Sequence, residues 1–212
     1  MNDVKVEYIF SGKIQSYKIK EKEFRSCYLK RESYEKTYIF KDGIKEDEQA
    51  DRRYHGGLDK ALLIASTNHC KTYEEEFFEP IDIAIFSANI VVNELDESSV
   101  FVGDIYSIGE VILQVTQPRQ PCWKIGAVFS NKASKFIKQH SATGWYVKVL
   151  QEGNITLSDS VKLITRKSDI SIKDMTQYLD TKIIDKNILD TILSSDFIAQ
   201  SYKDDIGKCK II

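Results

Sequence analysis

The sequence lacks several patterns that define common protein classes. Its four cysteines, Cys27, Cys70, Cys122 and Cys209, include no C-x-x-C pair, which argues against a zinc ribbon or an iron–sulfur cluster. The formal net charge is only -2, so no overall field attracts nucleic acid or anionic lipid. The N-terminus is charged from its third residue. We therefore expect no signal peptide, no membrane span and a cytoplasmic location.

What the sequence does contain is typical of a compact protein. The chain has 212 residues, of which 42% are hydrophobic and 11% aromatic. This composition excludes a disordered chain, and the length suffices to bury a core without disulfides or metals to hold it together.

Short segments with strand character follow one another along most of the chain. Residues 4–10 and 13–19 flank Ser11-Gly12 and predict a hairpin. Two helices are predicted among the strands, at 67–79 and at 131–143. Further strands are predicted at 37–40, 60–65, 99–102, 105–108, 111–116, 145–150 and 160–165. This order favours a mainly β fold, a barrel or a sandwich, with inserted helices.

The pattern changes to helical spacing after Arg166. Apolar residues recur there at three- and four-residue intervals, which predicts three short amphipathic helices. Ser171 with Asp174 resembles a capping box, and residues 194–196 predict another cap. We therefore divide the chain into residues 1–166, the β domain, and residues 167–212, a small helical extension. The apolar stripes of these helices either pack on the β domain, which we favour, or bind an electron donor or a second subunit.

The stretch QPRQPC, residues 117–122, holds two of the three prolines in the chain. Each proline fixes its own φ and pushes the preceding glutamine toward extended conformations, so Cys122 stands at the end of a stiff segment. Arg119 and Lys124 are close in sequence, and positive charge near a thiol favours the thiolate that binds metals. The alternative is a rigid turn that ends a strand, with Cys122 as a small buried apolar residue.

A second stretch, DRRYHGGLDKAL, places adjacent glycines among charged residues. Gly56 and Gly57 can take positive φ and bring backbone N–H groups to an anion, while His55 can add a hydrogen bond. This is a candidate cradle for a phosphate or a pterin. The alternative is a polar turn with a structural histidine.

Farther along, Asn89 precedes an apolar strand and offers a donor and an acceptor to a ligand.

Taken in order, the segments DRRYHGGLDKAL, FSAN, VTQPRQPCWKIG and TGWYVKVLQEG make the sequence similar to MOSC-domain proteins of the bacterial YiiM type. The resemblance covers nearly the whole chain, including the C-terminal helices. It implies a MOSC-type β-barrel that binds the molybdenum cofactor (Mo-molybdopterin) in a cleft where a cysteine ligates molybdenum. It also implies reduction of N-hydroxylated compounds, among them hydroxylamine derivatives of nucleobases, with electrons from a separate reductase. Pyridoxal phosphate is not expected.

The resemblance assigns roles to individual residues of this sequence. Cys122 is the metal ligand and the catalytic residue. Lys30 falls near a lysine position of the subfamily, on a looser match than the others. The remaining positions that line the implied cofactor cleft are His55, Gly56, Gly57, Asn89 and Arg119.

Two segments depart from the family pattern. Ser87-Ala88-Asn89 stands where the motif usually has Gly-Glu-Asn, and Glu46-Asp47 stands where it usually has Gly-Asp. The first change removes a glycine and a carboxylate, which predicts an altered cofactor affinity or substrate range.

Three functions stay open from the sequence. The first is a molybdenum-dependent reductase of small N-hydroxylated molecules, and the second is a cofactor or sulfur carrier that uses Cys122 without turnover. The third is a metal-free enzyme with Cys122 as nucleophile and His55 as base, for which the sequence offers no oxyanion motif. We expect a small-molecule substrate and a separate electron-donating reductase as partners, and neither a nucleic acid polymer nor a membrane. A homodimer is left open.

Overall fold

The computed structural model describes residues 3–19, 21–50 and 56–212. Within these ranges the strands are β1 (Val6–Ser11), β2 (Gln15–Ile19), β3 (Lys22–Ser26), β4 (Glu32–Ser33), β5 (Lys36–Ile39), β6 (Leu62–Ser66), β7 (Ile90–Val92), β8 (Ile105–Ile108), β9 (Val111–Pro118), β10 (Trp145–Gln151), β11 (Gly153–Thr156), β12 (Val161–Thr165), β13 (Ile183–Ile184) and β14 (Lys210–Ile211). The α-helices are α1 (Asn68–Phe77), α2 (Lys124–Val128), α3 (Asn131–Gln139), α4 (Ile172–Thr181), α5 (Lys186–Ser194) and α6 (Gln200–Ile206). Single 3-10 turns cover Leu58–Lys60 and Ile83–Phe86.

Eight strands form the main sheet, in the order β12-β8-β9-β10-β6-β7-β1-β4. Its neighbouring strands are antiparallel except β6 and β7, which are parallel because helix α1 carries the chain back between them. One bridge, between Lys5 and Ser160, connects the β1 and β12 regions. The predicted general class, strands with inserted helices, is confirmed. Among the described residues, however, the hydrogen-bonded ladders do not close into a complete barrel.

The predicted hairpin between residues 4–10 and 13–19 is wrong. Strand β1 pairs with β7 and β4, whereas β2 pairs with β3 in a separate two-stranded sheet. The reason lies at Gly12, where the chain leaves β1. The Gly12 N–H donates to the carboxylate of Asp47 at 2.8 Å, and its carbonyl accepts from the N–H of Glu48 at 2.9 Å. These bonds tie the supposed turn to a distant loop.

The strand predicted at residues 99–102 is also wrong, because a turn begins just before it. The side-chain oxygen of Asp96 accepts hydrogen bonds from the backbone N–H groups of Ser98 at 2.9 Å and Ser99 at 3.2 Å. Such local side-chain bonds favour turns over ladders. Only Phe101 of this segment forms a bridge, with Ser171.

The two predicted inserted helices are present. Helix α1 ends at Phe77, two residues short of the prediction, and α3 begins after Ser130, whose hydroxyl accepts from the N–H of Ala133 at 3.1 Å. Helix α2, which follows Cys122 and Trp123 directly, was not predicted. No helix in the described ranges has both the length and the apolar character needed to cross a bilayer.

The three predicted C-terminal helices are present as α4, α5 and α6. The capping box at the start of α4 is confirmed, since the N–H of Asp174 donates to the Ser171 hydroxyl at 3.0 Å and the Ser171 N–H donates to the Asp174 carboxylate at 3.2 Å. The second predicted cap is wrong. Helix α6 begins after Ala199, while the hydroxyl of Ser195 donates to the carbonyl of Thr191 in the preceding helix at 2.7 Å.

The C-terminal helices share a buried cluster with the main sheet. Their members in this cluster include Ile172, Met175, Ile192, Tyr202 and Ile206, each completely buried. Burial of this apolar surface stabilises the contact between helices and sheet, and the favoured interpretation of the apolar stripes therefore agrees with the structure. The division at residues 166 and 167 into two domains stays a prediction.

Candidate functional site

A cleft lies where strand β9 ends and the QPRQPC segment leaves the sheet. It encloses about 610 Å³, the part open to solvent included. Four predicted site residues meet in its wall, namely Cys122, Arg119, Asn89 and Lys30. The wall also contains Cys27, Tyr28, Asp47, Lys60, Ser87, Lys124 and Tyr146.

The glycine pair, Gly56 and Gly57, comes directly before the turn that ends at Lys60, and Lys60 lines the cleft. Gly57 has φ +99° and precedes the 3-10 turn Leu58–Lys60, so the positive φ expected there is observed. Gly57 is exposed and Gly56 half-buried. His55 lies outside the described residues, and its role stays a prediction, as does the cradle formed with both glycines.

Helix α6 contacts the QPRQPC segment. The side-chain oxygen of Gln117 accepts a hydrogen bond from the Ser201 hydroxyl at 2.8 Å. The amide of Gln120 donates to the carboxylate of Asp205 at 3.0 Å. The segment that positions Cys122 is therefore fixed by two contacts from the C-terminal extension as well as by its prolines.

Arg119 places a buried positive charge in the cleft wall. Its side chain donates to the hydroxyl of Tyr28 at 2.6 Å and to the carbonyl of Phe86 at 3.2 Å, and the residue is 4% exposed. Burial works to lower the pKa of Arg119, but Tyr28, Tyr146 and Cys122 outweigh it and raise that pKa. In the described part of the chain, no carboxylate forms an ion pair with this guanidinium. A buried cation with only neutral partners is costly, and an anion bound beside it would relieve that cost.

Two tyrosines and a lysine surround this charge. Burial raises the pKa of Tyr28 despite the opposing effect of Arg119, and burial raises the pKa of Tyr146 to about 12. Both hydroxyls therefore keep their protons at neutral pH and can donate hydrogen bonds. The amine of Lys60 lies 5.8 Å from the ring centroid of Tyr146, and burial lowers the pKa of Lys60.

Lys30 and Asp47 form a buried ion pair in the cleft wall. The Lys30 amine contacts both carboxylate oxygens of Asp47, at 2.5 Å from Oδ2, and the two side chains are only 8% and 6% exposed. Asp47 also accepts the Gly12 N–H. The structure thus brings the loosely matched Lys30 to the site, with its charge compensated by Asp47. Contact of Lys30 with a cofactor stays a prediction.

Asn89 lines the cleft while bonding to the backbone of two strands. Its side-chain oxygen accepts from the N–H of Leu63 at 3.1 Å, and its amide nitrogen donates to the carbonyl of Phe10 at 3.4 Å. Because β7 lies between β6 and β1, these bonds fasten three strands at the edge of the cleft. The structure therefore supports a positioning role for Asn89, and its contact with a ligand stays a prediction.

Several residues of the cleft could not be found from the sequence. Cys27, half-buried after β3, is a second thiol beside Cys122 in the same wall. Tyr28 contacts Arg119 across 91 positions of the chain, and no local pattern predicts such a contact. Tyr146 did have a signal, because it belongs to the TGWY segment that marked the family.

A buried histidine–glutamate pair is connected through Gly144 to Arg119 in the cleft wall. The ring of His69 contacts Glu97 at 2.6 Å, and the other oxygen of Glu97 accepts from the N–H of Gly144 at 2.6 Å. The Gly144 carbonyl in turn accepts from the N–H of Arg119 at 3.1 Å. Burial works to lower the pKa of His69, but Glu97 outweighs it, so that pKa lies above its ordinary value of 6.5.

This raised pKa predicts a pH-dependent stability. A raised folded-state pKa gives a stabilising contribution that is full below the unfolded value and is lost as pH rises through the folded value. The difference in unfolding free energy between the wild type and His69→Gln should therefore be largest below pH 6.5 and shrink above it. Urea titrations across this interval measure the difference, and a constant difference would contradict the assignment.

Comparison with known proteins shows which family the chain belongs to. The family profile of the MOSC domain matches residues 51–162, just over half of the chain. The chain belongs to the MOSC-domain family. It is 30% identical over 203 residues to the uncharacterized protein YflK of Bacillus subtilis, covering 94% of this chain and 91% of that protein. It is 29% identical to protein YiiM of Escherichia coli over 170 residues, 78% of this chain and 75% of YiiM.

One solved structure and one further protein are also similar to this MOSC-domain chain. The crystal structure of YiiM from Geobacillus stearothermophilus superposes with a TM-score of 0.74 at 26% identity, covering 97% of this chain and 98% of that one. A protein of Gibberella moniliformis named "Reductase" is 30% identical over 149 residues. The match covers 68% of this chain but only 26% of that reductase.

The two departures from the family pattern have different surroundings in this MOSC domain. Ser87 has φ +52° and lines the cleft, whereas Ala88 is 3% exposed and packs in an apolar cluster. Ser87 thus occupies a left-handed conformation that glycine adopts more easily. At the other departure, Asp47 keeps the carboxylate, and that carboxylate binds Lys30.

Proposed function

We propose that this MOSC-domain protein binds the molybdenum cofactor in the cleft through Cys122 and reduces N-hydroxylated compounds with electrons from a separate reductase. Membership of the family, with its relation to molybdenum-cofactor proteins, and a relative named "Reductase" support the proposal. The chain matches only about a quarter of that longer protein. The activity of the whole reductase is therefore carried over to this chain only as a proposal.

The observation that carries the proposal is the pairing of a half-buried thiol with a buried cation that has no carboxylate partner among the described residues. Cys122 is half-buried in the cleft wall, and Arg119 lies in the same wall without a carboxylate partner in the described ranges. A pterin cofactor with a phosphate brings both complements, a soft metal for the thiolate and an anion for the guanidinium. The residues present therefore fit the group.

The chain's own side chains have distinct parts in such a site. Molybdenum, when held by Cys122, supplies the two-electron chemistry for cleaving an N–O bond. Arg119 and the protonated hydroxyl of Tyr146 bind and orient negative groups. Lys60, whose pKa is lowered by burial, gives up a proton more easily than an ordinary lysine. The overall reaction, R–NHOH plus two electrons and two protons to R–NH2 and water, consumes such protons.

Molybdenum analysis of the purified protein tests this proposal. Protein from cells that make the cofactor should contain about one molybdenum per chain by mass spectrometry. The molybdenum content of Cys122→Ala should be at least about tenfold lower. Cys70→Ala is the matched control, since Cys70 is also half-buried and packs against the same apolar cluster but lies on helix α1. Equal molybdenum in the two variants, or none in the wild type after incubation with cofactor, would overturn it.

A cofactor or sulfur carrier without turnover is the second candidate. Its support is Ala88, an apolar buried residue where the family motif usually carries a carboxylate. If that carboxylate delivers protons in other members, this chain binds the cofactor but reduces nothing. Steady reduction of a hydroxylamine by the loaded protein with an artificial dye donor would rule this candidate out.

A further inference from the structure

Two thiols lie in the wall of the cleft. Cys122 and Cys27 both line it, and both are half-buried. The other cysteines of the chain are outside this wall, Cys70 on helix α1 and Cys209 after helix α6. The proposed function uses the sulfur of Cys122 alone, so the cleft contains a second nucleophilic group that has no part in it.

Contacts on both sides of the cysteines bring their chain segments together. The ring of Phe24 contacts that of Trp123 edge-on, with centroids 4.8 Å apart. Farther along both segments, the hydroxyl of Tyr28 accepts a hydrogen bond from the side chain of Arg119 at 2.6 Å. Residues 24–28 and 119–123 therefore lie alongside each other in opposite directions. Each segment has its cysteine inside this span, and both cysteines line the same cleft.

Both sulfurs also lie near the hydroxyl of Tyr146. Burial is the main cause of its raised pKa, and despite the opposing effect of Arg119, negative charge on Cys122 and on Cys27 raises that pKa further. Charges shift a neighbour's pKa strongly only over a few ångströms. The two thiols therefore share one neighbour in the cleft wall.

The segment of Cys27 can move toward Cys122 at little cost. Cys122 is held by two prolines and by the contacts of helix α6 with the QPRQPC segment. Cys27 directly follows β3, whose ladder partner is β2 in a two-stranded sheet outside the main one. A shift of Cys27 toward Cys122 therefore breaks no ladder of the main sheet.

We propose that Cys27 and Cys122 form a reversible disulfide when the protein reacts with a peroxide, ROOH. One thiol attacks as the thiolate, the O–O bond breaks, a sulfenic acid forms, and the RO group leaves as ROH with the thiol's proton. The second thiol then displaces water from the sulfenic sulfur and closes the S–S bond. Two electrons thus pass from the sulfurs to the peroxide, and two thiols plus ROOH give a disulfide, ROH and water. The bond needs Cα atoms about 4.4–6.8 Å apart, which the shift of Cys27 provides.

The disulfide removes the sulfur that the proposed function gives to molybdenum. A sulfur bonded to another sulfur is no longer a thiolate, and the thiolate is the form that binds metals. The oxidised protein would therefore take up no cofactor until a dithiol reductant restores both thiols by exchange. Transient disulfides of this kind serve redox sensing in reducing compartments. This consequence rests on the proposed function, whereas the bond itself does not.

Peptide mapping of the full-length protein, purified without cofactor, tests the bond. After hydrogen peroxide, alkylation and digestion, mass spectrometry should find the peptides of Cys27 and Cys122 joined, at their summed mass less two hydrogens. Free thiols titrated in denaturant should fall from four to about two, and dithiothreitol should restore all four. Cys209→Ser is the matched control, because Cys209 is also half-buried but outside the cleft wall, and this variant should still form the bond. Cys27→Ser should not form it, and its Cys122 should instead advance to sulfinic acid.

Molybdenum uptake separates this inference from the proposed function. Peroxide-treated wild type incubated with cofactor should bind at least about tenfold less molybdenum than untreated protein, and dithiothreitol should reverse the loss. In Cys27→Ser the loss should be irreversible, because thiols do not reduce sulfinic acid. A disulfide between Cys27 and Cys122 in a protein that never binds molybdenum would count against the proposed function only. No disulfide, oxidation of Cys122 with Cys27 still reduced, or a bond from either to Cys70, Cys209 or another chain would overturn the inference, whatever the molybdenum content.

Discussion

Replacing Lys30 by methionine is expected to lower the free energy of unfolding by about 3–5 kcal/mol, because it leaves a buried carboxylate without its cation. The side chains of Lys30 and Asp47 are 8% and 6% exposed. After the substitution, Asp47 retains the Gly12 N–H as a hydrogen-bond donor, which cannot replace a full positive charge. Urea unfolding of protein without cofactor, followed by circular dichroism, measures the loss.

The neighbouring pair between Lys13 and Glu48 supplies a matched control. It involves the same loop, through Glu48, but its atoms are 3.7 Å apart and its side chains are 44% and 45% exposed. Exposed pairs contribute little, so Lys13→Met should cost less than about 1 kcal/mol. Equal losses for Lys13→Met and Lys30→Met would show that the buried pair has no special weight.

A double variant tests the cause of the loss. Lys30→Met combined with Asp47→Leu removes both charges and should recover at least half of the stability lost by Lys30→Met alone, because no unpaired charge remains buried. A double variant as unstable as the sum of the single variants would contradict this account. Recovery of stability without recovery of molybdenum binding would then separate the structural role of Lys30 from its predicted cofactor role.

Secondary structure was predictable in this chain where local patterns determine it. Strands β8, β9, β10 and β12, and the helices α1 and α4, follow from apolar spacing and from caps such as Ser171 with Asp174. Pairing was not predictable in the same way. Strand β2 turns to β3 because Gly12 is bound to Asp47, and that contact joins residues 35 positions apart. Such long-range hydrogen bonds leave no periodic trace in the sequence.

The residues of the candidate site, too, were predictable only where the signal is local in sequence. Proline stiffness and adjacent charge, which are local properties of QPRQPC, made Cys122 a candidate. The family resemblance then assigned site roles to Cys122 and Arg119, and the structure places both in one cleft. Cys27, Tyr28 and Asp47 were not predicted as site residues, since they reach the cleft only through the packing of β1, β3 and the following loops. The compensation of Lys30 by Asp47, which changes what Lys30 can offer a ligand, is visible only in three dimensions.

The second large effect is expected for Gly144→Ala, in the TGWY segment. Gly144 has φ +71°, and a Cβ added there would lie 2.5 Å from the carbonyl oxygen of Ile64 on the neighbouring strand. The left-handed conformation costs about 1–2 kcal/mol for alanine. Forcing an extra carbon against backbone atoms adds about 1–3 kcal/mol. We therefore expect a total loss of about 2–5 kcal/mol in unfolding free energy.

The loss should be accompanied by a local change at the cleft. Gly144 lies between Glu97, which accepts its N–H at 2.6 Å, and Arg119, which donates its backbone N–H to the Gly144 carbonyl at 3.1 Å. A shift of this strand therefore moves Arg119 and the adjacent Trp145, which is 1% exposed in the wild type. A red shift of tryptophan emission in Gly144→Ala, measured in a Trp123→Phe background, would report this movement.

Gly57→Ala separates backbone strain from the collision. Gly57 also has a positive φ, +99°, but a Cβ there would meet no atom within 4 Å, and the residue is exposed. Its loop can adjust without displacing a strand, so its substitution should cost less than Gly144→Ala and leave the emission of Trp145 unchanged. If both variants lose the same stability, the 2.5 Å approach to Ile64 relaxes at no cost, and the TGWY glycine is required for its backbone conformation alone.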